Sequence, residues 1–112
     1  MKAIRIHEFG GAENLRVDEI EKPTPGADEV LIETAAAGIN YADTMLRQNK
    51  YLFTPKLPFT LGFEVAGTIA EIGANVNHLQ SGQRVLATIG GGGYAEYAVA
   101  SAAQTFPIPE NL

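Results

Sequence analysis

Cysteine is absent from the 112 residues, which excludes a disulfide framework, a thiolate nucleophile and any cysteine-held zinc. Basic side chains are few, with 8 Lys and Arg against 13 Asp and Glu and a net charge of −5. The densest basic grouping, Arg47 with Lys50 and Lys56, is scattered, so the chain carries no footprint for a nucleic-acid backbone. The two histidines, His7 and His78, lack the short spacing of a metal-binding pair. No apolar run approaches the ~18 residues of a membrane-spanning helix. The opening Met1-Lys2-Ala3-Ile4-Arg5-Ile6-His7 has no apolar core of the kind a signal peptide needs. With neither disulfides nor a membrane signal, the cytoplasm is the expected location.

What remains is an apolar chain, 46% hydrophobic and 19% charged, which excludes disorder. Its length suits one domain, able to bury roughly 65% of the unfolded surface. Twelve glycines and six prolines cut it into short pieces. Alternating polarity predicts strands over 2–7 and 14–20, parted by a turn at Phe9-Gly10-Gly11. The proline-rich 21–26 connects them to a strand over 29–37, which starts on the β-branched and apolar Val30-Leu31-Ile32. A helix is predicted from Asn40 to about Gln48, and an extended loop over 51–61 around Pro55 and Pro58. Further strands are predicted over 63–72, with Gly67 a bulge or a close approach, and over 83–89 and 94–100. These last two flank Gly90-Gly91-Gly92-Gly93, which reads as a hairpin turn. It lacks both the spacing of a phosphate-binding glycine fingerprint and a following helix. The segment 105–112 reads as proline-punctuated chain leading into a further element. Many short strands and one short helix predict a mainly β barrel or sandwich.

Few residues offer chemistry. Asn40 is either a plain helix N-cap or an amide turned toward a ligand. Tyr41 and Tyr51 could present a phenol or an aromatic wall, or simply pack. Tyr41 and Met45 are four apart and share a helix face, and Asp43 and Arg47, also four apart, are expected to form a surface ion pair. Glu64 stands in an apolar stretch, where a buried carboxylate would need a partner, or it points outward on an alternating strand. No serine or cysteine has a base beside it in motif form, and no carboxylates are paired at a telling spacing.

The order of several segments carries a resemblance over essentially all 112 residues. They are Met1-Lys2-Ala3, Pro23-Thr24-Pro25-Gly26, Glu29-Val30-Leu31-Ile32, Ala37-Gly38-Ile39-Asn40-Tyr41-Ala42-Asp43 and Tyr51. Leu57-Pro58-Phe59, Leu61-Gly62-Phe63-Glu64-Val65-Ala66-Gly67, Gly73-Ala74-Asn75-Val76 and Gly82-Gln83-Arg84-Val85 complete them. Together they resemble the N-terminal, GroES-like domain of the medium-chain dehydrogenase/reductase superfamily, and within it the zinc-independent quinone oxidoreductase group. Zinc-dependent alcohol dehydrogenases resemble the same pattern but carry cysteine in place of Asn40, histidine in place of Phe63, and a four-cysteine lobe without a counterpart here. Gln83 stands where the pattern has an acidic residue, a departure confined to a local turn.

The resemblance implies a GroES-like, partly open β-barrel with one or two short helices, spanning 1–112. It further implies a Rossmann domain binding NADPH beyond Leu112, no zinc, and hydride transfer to a small quinone or activated enone. Asn40 would lie by the nicotinamide, as catalytic and cofactor-binding residue. Tyr41 would lie toward the cofactor's ribose and pyrophosphate, Tyr51 would flank the substrate pocket, and Met45 would line it. Glu64 would give support from behind. Relatives suggest a homodimer for the longer protein and a monomer for this piece, which alone is expected to bind NADPH poorly and not to turn over. Two other expectations stand beside this one: enoyl-thioester or alkenal reduction on the same scaffold, and a stand-alone GroES-like co-chaperonin or interaction module. Absence of a glycine-flanked apolar mobile loop counts against the last.

Overall fold

Short alternating stretches become two sheets in the computed structural model, which describes residues 1–112. The smaller sheet has the order β2-β1-β4, with β1 at Lys2–Ile6, β2 at Leu15–Glu19 and β4 at Phe59–Thr60. The larger has the order β7-β3-β5-β6-β8, with β3 at Glu29–Ala37, β5 at Glu64–Ile72, β6 at Arg84–Thr88, β7 at Tyr97–Ser101 and β8 at Thr105–Pro107. All pairings are antiparallel. The larger sheet curls into a half-barrel, the mainly β architecture that the strand pattern predicts.

Burial follows the pleat. Val65, Gly67 and Ile69 on β5, Val85 and Ala87 on β6, and Ala98 and Ala100 on β7 are buried at every second position. With Val30, Ile32, Val76, Leu79 and Ala102 they form the main core. Each fully buried Val, Leu or Ile there contributes about 1.5–3 kcal/mol. Of the two things the sequence suggested, Gly67 is the close approach; the bulge beside it lies on β3, at Ala35. A Cβ there would lie 2.0 Å from the Glu33 carbonyl oxygen, and the β3–β5 register shifts beside it, between Thr34 and Ala36.

The two sheets are joined by the backbone of Tyr94-Ala95-Glu96. Ile4 N–H donates to Tyr94 O at 2.7 Å, Glu96 N–H to Lys2 O at 3.1 Å, and Thr34 N–H to Glu96 O at 2.9 Å. This use of the segment corrects the strand expected from residue 94, since β7 starts only at Tyr97. The hairpin expected at Gly90–Gly93 is also overturned. β6 pairs with β5 and β8, and β7 pairs with β3, so the glycines carry the chain across the molecule. On the way Gly92 N–H donates to Thr60 O and Gly93 N–H to Gly62 O, while Gly91 leaves room for the Phe59 ring.

The segment after residue 104 holds a strand that composition did not suggest, because β8 is short and mostly exposed, and its partner on β6 lies some twenty residues back. Likewise the loop predicted over 51–61 includes β4 and a cis Leu57–Pro58 bond. The one α-helix, α1 at Tyr41–Arg47, runs as expected and packs on a second, smaller core separate from the main one. Leu46 is fully buried there with Ile6 and Leu61, bordered by Phe9, Tyr51, Leu57, Phe59, Phe63 and Tyr94.

Candidate functional site

The polar residues singled out by the sequence gather around the start of α1. Asn40 is the N-cap, extended at φ −119° and ψ 153°, and is half-buried. Asp43, three residues on, completes a capping box by accepting the Asn40 N–H at 2.8 Å. Tyr41 departs from the packing role a tyrosine at a helix start usually takes: it is 79% exposed. Met45, one turn later, is half-buried. Tyr51 sits beneath the helix in the smaller core, its ring centroid 5.7 Å from both Phe53, edge-on, and Phe63, tilted.

The Asp43–Arg47 surface pair is not formed. Asp43 is buried, with 4% exposure, and its carboxylate also accepts from Gly62 N–H at 3.2 Å and Tyr94 O–H at 2.7 Å. Arg47 turns the other way: its Nε donates to Gly10 O at 3.0 Å, and Gly10 N–H donates back to Arg47 O. Burial pushes the Tyr94 phenol well above its ordinary pKa, with the Asp43 hydrogen bond and the negative charges of Asp43 and Glu64 adding to it. The phenol is therefore a persistent proton donor to Asp43.

Glu64 takes the outward option at the head of β5. Its carboxylate lies against Gly38, where a Cβ would meet Glu64 Oε1, and its backbone oxygen accepts Gly38 N–H at 3.1 Å. It therefore abuts the chain two residues before Asn40. A separate hollow of about 490 Å³, lined by residues including Glu29, Thr88, Gly91 and Gln104, does not include any of these residues.

Chemically the helix start offers a carboxamide, an exposed phenol and aromatic faces, and a carboxylate already engaged by three donors. No group of three or more His, Cys, Asp or Glu side chains comes together anywhere in the structure. Such a donor set does not fit a zinc ion, which requires nitrogen, thiolate or free carboxylate ligands. No helix is long and apolar enough to cross a membrane.

The alcohol dehydrogenase GroES-like domain family matches residues 26–110. The chain belongs to that family. It is 41% identical to the quinone oxidoreductase of Rattus norvegicus, over 100% of this chain and 35% of the relative. The structure of Escherichia coli quinone oxidoreductase complexed with NADPH superposes with a TM-score of 0.95 at 32% identity, covering 100% of this chain and 34% of that one. An enoyl reductase structure gives a TM-score of 0.87 at 27% identity, over 99% of this chain and 36% of that one. This GroES-like domain of the medium-chain dehydrogenase/reductase superfamily thus spans about a third of the length of the curated relatives it matches.

Proposed function

We propose that this GroES-like domain forms the substrate-facing wall of a zinc-independent oxidoreductase that uses NADPH to reduce a quinone or an activated enone. The observation that carries the reading is the pinned helix start, with the Asn40 carboxamide at its head and the exposed Tyr41 beside it, on a scaffold that superposes with an NADPH-complexed quinone oxidoreductase. When bound, the reduced nicotinamide supplies a hydride, and a solvent proton completes the reduction.

The residues of this chain bind and orient. Asn40 hydrogen-bonds the nicotinamide side, where a carboxamide can both donate and accept. Tyr41 contacts the ribose and pyrophosphate side. Tyr51, packed edge-on to Phe53 and tilted against Phe63, offers an aromatic contact for a quinone ring, and Met45 lines its edge. Glu64 holds the Gly38 turn that leads into Asn40. A Rossmann domain supplied by a longer polypeptide binds most of the cofactor, because nothing in residues 1–112 has a dinucleotide fingerprint. Such a polypeptide would act in the cytoplasm and pair as a homodimer through that second domain, leaving this piece monomeric.

The test follows NADPH oxidation with a soluble quinone. The longer polypeptide is expected to show saturable turnover that Asn40→Ala lowers by roughly tenfold or more, and the 112-residue chain none. Saturable turnover by the 112-residue chain alone would sink the two-domain reading. The enoyl reductase likeness supports a second reading, reduction of an α,β-unsaturated thioester or alkenal on the same wall. Measuring kcat/KM for a quinone against an enone decides between them.

A further inference from the structure

Asp43 is the only carboxylate buried in this chain, and the reading above gives it no work. Burying a carboxylate is costly unless its oxygens are hydrogen-bonded. Here Oδ2 accepts from Asn40 N–H and Tyr94 O–H, and Oδ1 from Gly62 N–H. The three donors come from three places: the start of α1, the turn between β4 and β5, and the segment leading into β7. We propose that Asp43 is the positioning residue of this site, fixing the Asn40 backbone against the two sheets so that the Asn40 carboxamide and Tyr41 phenol are held in one orientation at the helix start. The proposal rests on the oxidoreductase reading and assigns the pre-alignment of the reactants to a residue that touches neither of them.

Three observations support it. A helix of seven residues is too short to hold its own direction, so tertiary bonds must orient Asn40. The approach to Asp43 is built in backbone: Gly62 has φ +103°, and a Cβ there would come within 2.7 Å of Gly93 Cα and Tyr94 N. The helix's own cation does not compete, since Arg47 is tied to Gly10. Every donor to the carboxylate is therefore neutral and in a fixed place, and the Tyr94 phenol stays protonated across the physiological range. A surface carboxylate paired with Arg47 would hold the helix to itself. Asp43 holds it to the barrel.

Two variants separate alignment from folding. Asp43→Asn keeps the shape and removes the charge, and Tyr94→Phe removes one donor with no change of ring volume. In the 112-residue chain, amide hydrogen exchange is expected to quicken roughly tenfold or more at Asn40 and Gly62 in Asp43→Asn, with β3, β5 and β6 unchanged. In the longer polypeptide, both variants are expected to lower kcat by roughly tenfold while KM for NADPH and quinone stays within about threefold, because contacts survive and alignment does not. Wild-type exchange rates at Asn40 and Gly62 in the variant would overturn the anchor. Faster exchange with unchanged kcat would overturn its role in the reaction. A wild type that fails to oxidise NADPH removes the oxidoreductase reading, and hydride transfer with it, while the exchange data still decide whether Asp43 anchors Asn40. If Asp43→Asn does not fold, Tyr94→Phe carries the same two readouts.

Discussion

The main core and the helical end of this domain are held by opposite means. In the half-barrel, eleven buried residues, all Val, Ile, Leu or Ala, meet through the pleat of neighbouring strands. At the helical end only Ile6, Leu46 and Leu61 are fully buried and apolar, ringed by half-buried aromatics, and a buried carboxylate ties three segments together. Dispersion and burial are non-directional and tolerate small shifts, whereas hydrogen bonds to a buried charge fix geometry. The difference teaches a division of labour: burial holds the barrel, and directional bonds set the end that carries Asn40 and Tyr41, the residues of the proposed site.

The harshest way to break this comparison is Gly67→Ala. The new Cβ would overlap the Glu33 carbonyl, and a backbone neighbour in the middle of β3 has nowhere to go. Loss of several kcal/mol is expected, more than the about 2–5 kcal/mol for the cavity made by Ile32→Ala on the same strand pair. Thermal unfolding checks both, with Ile32→Ala expected to lower Tm by about 10 °C or more. Should Gly67→Ala fold with wild-type Tm, the close β3–β5 approach would be refuted.

Leu46→Ala sharpens the comparison from the other side. It deletes the helix's only fully buried apolar side chain, again for about 2–5 kcal/mol, but the loss is expected to loosen α1 before the barrel. Hydrogen exchange should show α1 and the 48–61 loop opening while β5 and β6 stay protected. Uniform loss of protection would mean that the two ends unfold as one unit.

Most of the barrel was legible in the sequence because its information is local. β5 places Val65, Gly67 and Ile69 inward by alternation alone, and β3 has the bounds its apolar run predicts. Asn40 as N-cap was equally legible, since capping is decided within four residues. Asp43 was not. Its partners Gly62 and Tyr94 lie 19 and 51 residues away, and the helical spacing to Arg47 pointed to the wrong neighbour. The available signal was an aspartate three residues after an Asn N-cap, a capping box that turns the carboxylate back toward the helix start. The hairpin expected at Gly90–Gly93 failed for the same reason, because both of its flanking strands have better partners elsewhere.

Tyr94→Phe is expected to have a smaller effect, about 1 kcal/mol at neutral pH for one hydrogen bond. Its pH dependence is more telling. The folded phenol titrates above its ordinary value near 10, so the stability it contributes is present below that value and lost as pH rises through the folded pKa. Urea midpoints should therefore fall above pH 10 in the wild type, and less steeply in Tyr94→Phe. Equal alkaline slopes would mean that the Tyr94–Asp43 bond does not persist in solution.

The smallest effect is expected on the β1–β2 ribbon, where His7 bonds Asp18 in partly exposed surroundings and Arg5 approaches to 3.9 Å. The His7 hydrogen bond holds the Asp18 carboxyl below the usual range; desolvation opposes it, and the charges of His7, Arg16 and Arg5 add to the lowering. A depressed carboxylate contributes stability above its unfolded pKa and loses it as pH falls through the folded value, so the window opens below about pH 4. Asp18→Asn should lower stability slightly at neutral pH and meet the wild-type curve in acid, flattening the acid slope. An acid effect as large as the alkaline one at Tyr94 would contradict the contrast drawn here. It would mean that a partly exposed pair on a two-stranded ribbon matters as much as the buried carboxylate that ties three segments together.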